Sequence, residues 1–345
     1  MRFGLALPHY GFSAPEGAEP RGGPKGAEAF DLVRTSALRA EVLGFDSVWV
    51  SDHLFYSFAR YGADPAPIAS LEAMTLLSAV AALTQHVRVG TLVLCAPFRS
   101  PGMLAKMAST VDIISGGRLD LGVGAGWSQE EFDAFGFAFG SVGDRFGALE
   151  ETLRVLQAFG EVEGPVTFDG PSVHLRDAPM VPPAIQQPIP VFVGGKGGPR
   201  LLRLAATYAA GWNVVWRVAP GDYAGKVADV RAACERADRD PSTFRLSIGL
   251  YGVTGTDEGA AREAFERGRA AFPGGAMDTE TWETWRADTL SGSPEQIIER
   301  VRAFEVLGVQ EIVLSPWVLP FAAVEPEQVE LFAERVIAPL RAGAA

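Results

Sequence analysis

The chain reads as an α/β protein, a (β/α)8 barrel with insertion loops, and three features predict it. Short apolar runs alternate with amphipathic segments from one end to the other. Eight such runs are each followed by a helical pattern, and that count favours a closed barrel over the doubly wound open sheet that shares the alternation. The 345 residues are 48% apolar, enough for a large core. A barrel of this kind commonly exceeds 250 residues as one unit.

The predicted strands cover 3–7, 46–50, 87–94, 119–123, 190–193, 212–215, 245–252 and 311–314. They are short and nearly continuous in apolar residues, as strands covered on both faces are. Between them the apolar period is 3.6. Phe30, Val33, Ala37 and Ala40 form the face of the first helix. Leu104, Met107, Val111 and Ile114 form another, which starts at Ser100-Pro101 and stops at Gly116-Gly117; Met103 and Met107 read as core. Phe146, Leu149, Leu153 and Leu156 line a third. Ser293-Pro294 with Gln296 is a capping-box start for a helix over Ile297, Val301 and Phe304, ended by Gly308, and a last helix follows Pro326.

Four segments interrupt the repeat: 11–27, 54–69, 160–189 and 256–292. The third contains a hairpin-like stretch and then a Pro-rich run; the fourth carries Trp282 and Trp285. None has the composition of a linker, so the expectation is one barrel domain over 1–345 with these insertions. Long loops in a compact domain are usually lids or binding loops.

A formal charge of −12 argues against nucleic-acid or anionic-membrane partners, which select a basic face. Cys95 and Cys234 are the two cysteines, far apart and outside any CxxC pattern. A disulfide framework is therefore not expected, and a reducing compartment fits. The apolar run after Met1 is too short for a signal peptide, and no run approaches the ~18 apolar residues that span a bilayer, so a cytoplasmic protein is expected. The histidines and carboxylates show no metal-ligand spacing, and no metal site is expected.

In such a barrel the C-terminal ends of the strands build the active site, and the opposite face serves stability. The strand ends bring His9 and Tyr10; Ser51, Asp52 and His53; Cys95, Phe98 and Arg99; and Gly122-Val-Gly124-Ala125-Gly126-Trp127 with Glu130 and Glu131. The later strands add Gly194-Gly195-Lys196-Gly197-Gly198, Trp216-Arg217, Tyr251 and Ser315-Pro-Trp317. His53 can exchange a proton near neutral pH, and Asp52 beside it can orient a ring or hold a charge. Neighbours on a strand face opposite ways, so at most one of the two points to the barrel axis. A backbone-satisfied strand-end histidine is the alternative, and the crowded rim favours the functional one.

Gly194–Gly198 precedes a helix near Pro199, so its bare N–H groups, with Lys196 and Arg200, suit a phosphate. It is not a Walker loop, since no Gly-Lys-Ser/Thr closes it. The glycines at 122, 124 and 126 follow the fourth strand and read as backbone lying against a flat ring, which glycine permits. Ser115-Gly-Gly-Arg118 reads as a helix stop on the stability face. His86 lies on that face too, and Cys234 falls in a surface helix.

Three segments carry a family resemblance: Leu104-Ala-Lys-Met-Ala-Ser-Thr-Val-Asp-Ile-Ile-Ser-Gly-Gly-Arg118 through Leu121–Trp127, Phe45-Asp-Ser-Val-Trp-Val-Ser-Asp-His53, and Val193-Gly-Gly-Lys-Gly-Gly198. Together they resemble the luciferase-like flavin-dependent oxidoreductases, strongly over 1–215 and weakly beyond. The likeness is closest to the branch that uses coenzyme F420, an 8-hydroxy-5-deazaflavin, although FMN-dependent monooxygenases share the motifs. The resemblance implies a cofactor ring over the barrel mouth, with Asp52 and His53 near its reactive edge and 194–198 on the phosphate. It also implies a strand-3 bulge with a non-proline cis peptide at about Leu92-Val93 under the ring, beside Gly124, Ala125 and Gly126. Some sugar-phosphate dehydrogenases of that branch carry a glutamate acid where this chain has Trp127. Glu130 and Glu131 lie too far along to replace it.

The function expected is F420-dependent hydride transfer to or from a small organic substrate. His53 serves as proton donor or acceptor, and His9, Trp49, Trp127 and Trp317 shape a mainly apolar pocket. The alternatives are an FMNH2-dependent monooxygenase and a flavin-binding protein without catalysis. A homodimer is the expected assembly, by analogy with the family.

Overall fold

Eight runs rich in Val, Leu and Ile form strands that pair only in parallel: Arg2–Ala6 (β1), Ser47–Val50 (β2), Arg88–Thr91 (β3), Leu119–Gly124 (β4), Val191–Gly194 (β5), Gly211–Trp216 (β6), Arg245–Tyr251 (β7) and Glu311–Ser315 (β8). Each pairs with the next, and Arg2 of β1 lies opposite Glu311 of β8, so the sheet closes on itself. The computed structural model describes residues 1–10, 26–62, 67–322 and 326–343. Nearly all of the predicted 11–27 insertion, and part of the 54–69 loop, lie outside the described residues.

Among the described residues eight helices flank the barrel: Ala27–Val42 (α1), Ala73–Leu83 (α2), Pro101–Ile114 (α3), Val142–Glu161 (α4), Pro199–Tyr208 (α5), Pro220–Arg236 (α6), Pro294–Val306 (α7) and one that begins as Pro326–Phe332 (α8). The capping box expected for α7 is formed, with Ser293 and Gln296 each bonded to the other's backbone N–H. The outward strand residues Val48, Val89, Leu121, Val193, Ile248 and Ile312 pack with Val33, Leu77, Leu104, Leu153, Val230 and Val301 in one buried cluster. Each such side chain contributes about 1.5–3 kcal/mol when removed from water. Two expectations fail on α3: Met103 is 59% exposed and Ile114 is 42% exposed. The residues facing the barrel are Leu104, Ala105, Ala108 and Val111, and both failures lie beyond that stripe. Cys234 does fall on a surrounding helix, α6, but its thiol is buried on the inner face.

The barrel interior is filled by Trp49 of β2. A Cβ on Gly90 would lie 2.4 Å from its indole, and one on Gly4 2.6 Å away, so β1 and β3 carry glycine where the ring sits. Trp49 is therefore a core plug and not a pocket wall. Below it, at the strand N-termini, Arg88 donates to both oxygens of buried Asp120 at 2.5 and 2.9 Å, and Arg245 approaches Asp120 at 3.5 Å. Arg2 pairs with buried Glu311 at 3.1 Å. Ser115-Gly-Gly-Arg118 ends α3 on this face, with Gly116 and Gly117 at φ 68° and 84°. Exposed His86 is on the same face.

The 160–189 insertion contains the expected hairpin, Val166–Asp169 paired antiparallel with His174–Ala178. The 256–292 insertion contributes helices Glu258–Ala271 and Trp282–Ala287, with Trp282 and Trp285 buried. Strand 3, expected as continuous over 87–94, breaks after Thr91. A cis Leu92–Val93 bond follows, and Leu94–Cys95 then rejoins β4.

Candidate active site

Ser51, Asp52 and His53 leave the end of β2 and face different ways. Asp52 turns to the third strand, where it accepts from Cys95 N at 2.8 Å and from both terminal nitrogens of Arg99 at 2.6 and 2.8 Å. Arg99 also reaches Glu72, the residue that caps α2. Asp52 thus ties the loops after β2 and β3 together, and its carboxylate bonds Cys95 and Arg99 where His53 bonds elsewhere. His53 instead bonds through Nδ1 to Glu131 Oε2 at 2.7 Å, and Glu131 Oε1 accepts from Leu54 N at 2.6 Å. Glu131 is 2% exposed, on the short helix Gln129–Ala134 beyond β4. A carboxylate accepts, so Nδ1 carries the proton and Nε2 is left to serve the cavity. The orienting carboxylate expected at Asp52 is therefore Glu131. It sits 78 positions from His53, and the one sequence signal was its place on the same rim.

His9 lies behind the wall and not on it. Its Nε2 accepts from Ser51 N at 3.0 Å, so the neutral ring carries its proton on Nδ1. Burial, aided by the charge of nearby His53, pushes its pKa down to about 3. Tyr10 reaches the cavity and shares a 2.5 Å hydrogen bond with Ser51 Oγ; burial raises its phenol well above the usual range.

One half of the cavity is poor in side chains. Leu92, Val93, Gly124, Ala125, Gly126, Gly194, Gly195 and Lys196 line it. A Cβ on Gly122, Gly124 or Gly194 would lie within 2.6–2.9 Å of Val93 methyls. These glycines first make room for the bulged Val93, and the flat wall results from both. The 194–198 turn leads into α5, with Gly198 as N-cap. Gly195 donates to Asn213 O at 3.1 Å, and Trp212 Nε1 donates to Gly195 O at 2.9 Å. Gly197 holds φ 72° with its Cα side against the Trp212 ring, away from the cavity lining. Arg200 turns outward to Gly143 O at 3.4 Å, leaving Lys196 as the cation of the turn that faces the cavity.

The other half is aromatic. Tyr56 stacks on Tyr10 at 5.1 Å, Tyr10 meets Phe321 at 5.6 Å, Phe321 meets Trp216 at 5.4 Å, and Trp216 stacks on Tyr251 at 5.5 Å. Trp127 stands at the rim, 50% exposed, with its ring 5.4 Å from His53. Trp317 does not line this cavity: its indole edge packs against Gly268 of the inserted helix, and Phe321 takes the wall position. A second non-proline cis bond, Val215–Trp216, precedes the Trp216 wall and had no signal in the sequence. The cavity holds about 580 Å³, and His53, Glu131, Gly194, Gly195 and Lys196 all border it. Among the described residues no cluster of His, Cys, Asp and Glu could hold a metal ion.

A closed parallel barrel with a cavity at its strand C-termini, part glycine and part aromatic, has the layout of a barrel enzyme. The chain belongs to the luciferase-like monooxygenase family, whose description matches residues 1–311. It is 27% identical over 332 residues to the phthiodiolone/phenolphthiodiolone dimycocerosates ketoreductase of Mycobacterium tuberculosis (strain ATCC 25618 / H37Rv), covering 81% of this chain and 86% of that protein. It is 35% identical over 183 residues to the F420-dependent glucose-6-phosphate dehydrogenase of Amycolatopsis mediterranei (strain U-32), covering 53% and 52% respectively. The solved structure of an F420-dependent secondary alcohol dehydrogenase with an F420-acetone adduct superposes with a TM-score of 0.76 at 21% identity, over 98% of each chain, a likeness of fold.

Proposed function

We propose that this chain is an F420-dependent oxidoreductase that moves a hydride between the deazaflavin and a small organic alcohol or carbonyl compound. One observation carries the proposal: the Glu131-held His53 and the 194–196 stretch of the glycine turn border a single cavity. The relative whose name includes F420 supports the choice of cofactor.

The residues fit such a group. The wall of Val93, Gly124 and Ala125 offers a face for a planar ring, and Lys196 with the N–H groups that lead into α5 offers phosphate donors, the Gly195 N–H being held by Asn213 O. When bound, F420 supplies the carbon that gives or takes the hydride. His53 Nε2 takes the proton from the substrate hydroxyl in oxidation and returns it to the carbonyl oxygen in reduction. Glu131 holds the ring and balances the imidazolium while the proton resides there. The aromatic half keeps water from the reacting atoms.

Titration of the purified protein with F420 and with FMN tests the cofactor. F420 binding with weak or no FMN binding is expected. Tight FMN binding without F420 binding overturns the proposal in favour of an FMNH2-dependent monooxygenase, the reading that the family's description favours. Binding of F420 without any reduction or oxidation of it, across alcohols and ketones, leaves a carrier protein instead.

A further inference from the structure

We propose that the aromatic half of the cavity selects an uncharged ketone or secondary alcohol bearing a ring, and turns away anionic substrates. This rests on the hydride-transfer reading of the same site.

The aromatic rings form one arc. Tyr56, Tyr10, Phe321, Trp216 and Tyr251 touch in sequence, supplied by the loops after β2, β1 and β8 and by the ends of β6 and β7. The arc is braced from behind, since Tyr251 stacks on buried Trp285 at 5.4 Å and 22°. A rigid aromatic wall favours a flat or alicyclic partner by offset or edge contact.

Charge next to the arc, where the His53 ring meets Tyr10 and Tyr56, is already committed. The carboxylate of Asp52 accepts from Cys95 N and Arg99, and both oxygens of Glu131 are taken, by His53 and by Leu54 N. Arg99 is engaged with Asp52 and Glu72, so its charge is held away from the cavity. The described cation that borders the cavity and remains available is Lys196, on the glycine half where the cofactor phosphate is proposed. An anionic substrate therefore meets two carboxylates and the negative faces of the rings. Burying an unpaired charge in such surroundings is costly.

The chemistry asks for no charge either. In oxidation the substrate C–H bond breaks and its electron pair leaves as hydride to the deazaflavin. The hydroxyl proton passes to His53 Nε2 as the C=O bond forms. Reduction runs the same step backwards, so a neutral alcohol and a neutral ketone are the two ends.

The test uses two matched probes that share one ring: acetophenone and 4-acetylbenzoate. Calorimetric titration is run on the protein alone and on the F420-loaded protein. Acetophenone is expected to bind at least tenfold more tightly than 4-acetylbenzoate. Tyr251→Leu is expected to weaken acetophenone binding by about fivefold while F420 affinity stays within twofold. Equal or tighter binding of 4-acetylbenzoate, or no measurable binding of acetophenone to either form, overturns the proposal. Failure to bind F420 with the neutral preference intact defeats the cofactor assignment alone. F420 binding with no neutral preference defeats this inference alone.

Discussion

His53 works through its partner, and the two residues of the pair have separable consequences. His53→Ala removes the proton carrier, so kcat is expected to fall by roughly 10²–10⁴-fold with cofactor affinity little changed, the usual range for general acid–base loss. Glu131→Gln keeps a hydrogen-bonding group against Nδ1 but removes the compensating charge, and a smaller fall, about tenfold, is expected. Steady-state kinetics beside F420 titration distinguish these from misfolding; turnover near wild type in His53→Ala removes it from the proton step. His9 has a thermodynamic role. Its folded pKa is about 3 against 6.5 unfolded, so between those values the unfolded chain binds more protons, and stability falls as pH drops through that window. Relative to His9→Gln, wild type is expected to lose about 2 kcal/mol between pH 7 and pH 5, measured by urea melts. An identical pH dependence in both proteins rejects a buried neutral His9. These two histidines also mark what the sequence can say. Both stand at strand ends, and from the sequence they look alike. One faces the cavity and the other faces Ser51, because the turn of the chain after the strand sets the side, and that turn depends on partners far away. Asp52 was legible as a rim residue, but its commitment to Arg99 was not.

At the scale of elements, the bulge after β3 and the glycines of β4 and β5 form one interlocking unit. The cis bond was placed at Leu92–Val93 through the family likeness, and the glycine spacing was visible, yet nothing in the sequence linked the two. The link is steric. A Cβ on Gly194 would stand 2.6 Å from Val93 Cγ1, closer than packed atoms approach. Gly194→Ala is therefore expected to cost about 1–3 kcal/mol, the usual range for overpacking. Adding Val93→Ala removes the colliding methyls, so the double variant is expected to recover at least 0.5 kcal/mol of coupling energy. Denaturant melts of the two singles and the double measure this directly; strict additivity would show that the glycine is there for another reason. The turn beyond it follows the same logic, since Trp212 Nε1 and the ring behind Gly197 hold its backbone in place.

Across the whole molecule the barrel separates a mouth that works from a base that holds. The alternation of runs made the eight strands and most of their helices readable, because parallel strands buried on both faces leave a strong apolar signature. Strand faces were less readable: Trp49 looks from sequence like a candidate pocket residue and instead fills the interior over Gly4 and Gly90. Its position divides the ion pairs of Asp120 and Glu311 below from the cavity above. Asp120 is fully buried between Arg88 and Arg245, whose own side chains are 25% and 24% exposed, so water softens the loss of either arginine's partner. Asp120→Asn removes the counter-charge that Arg88 and Arg245 share and leaves Glu311 facing both. The expected cost is about 2–4 kcal/mol, below the full range for breaking a wholly buried pair because of that exposure. Trp49 stands between base and mouth, and the contact that leads toward 194–198 is Arg245 over the Phe192 ring of β5 at 4.6 Å; with that strand still paired, F420 affinity should stay within twofold at temperatures where the variant is folded. Thermal melts and cofactor titrations on the same preparation read both quantities. A variant that keeps wild-type stability but loses cofactor binding would mean that the base and the mouth are coupled through the plug, and that the barrel does not insulate its site from its scaffold.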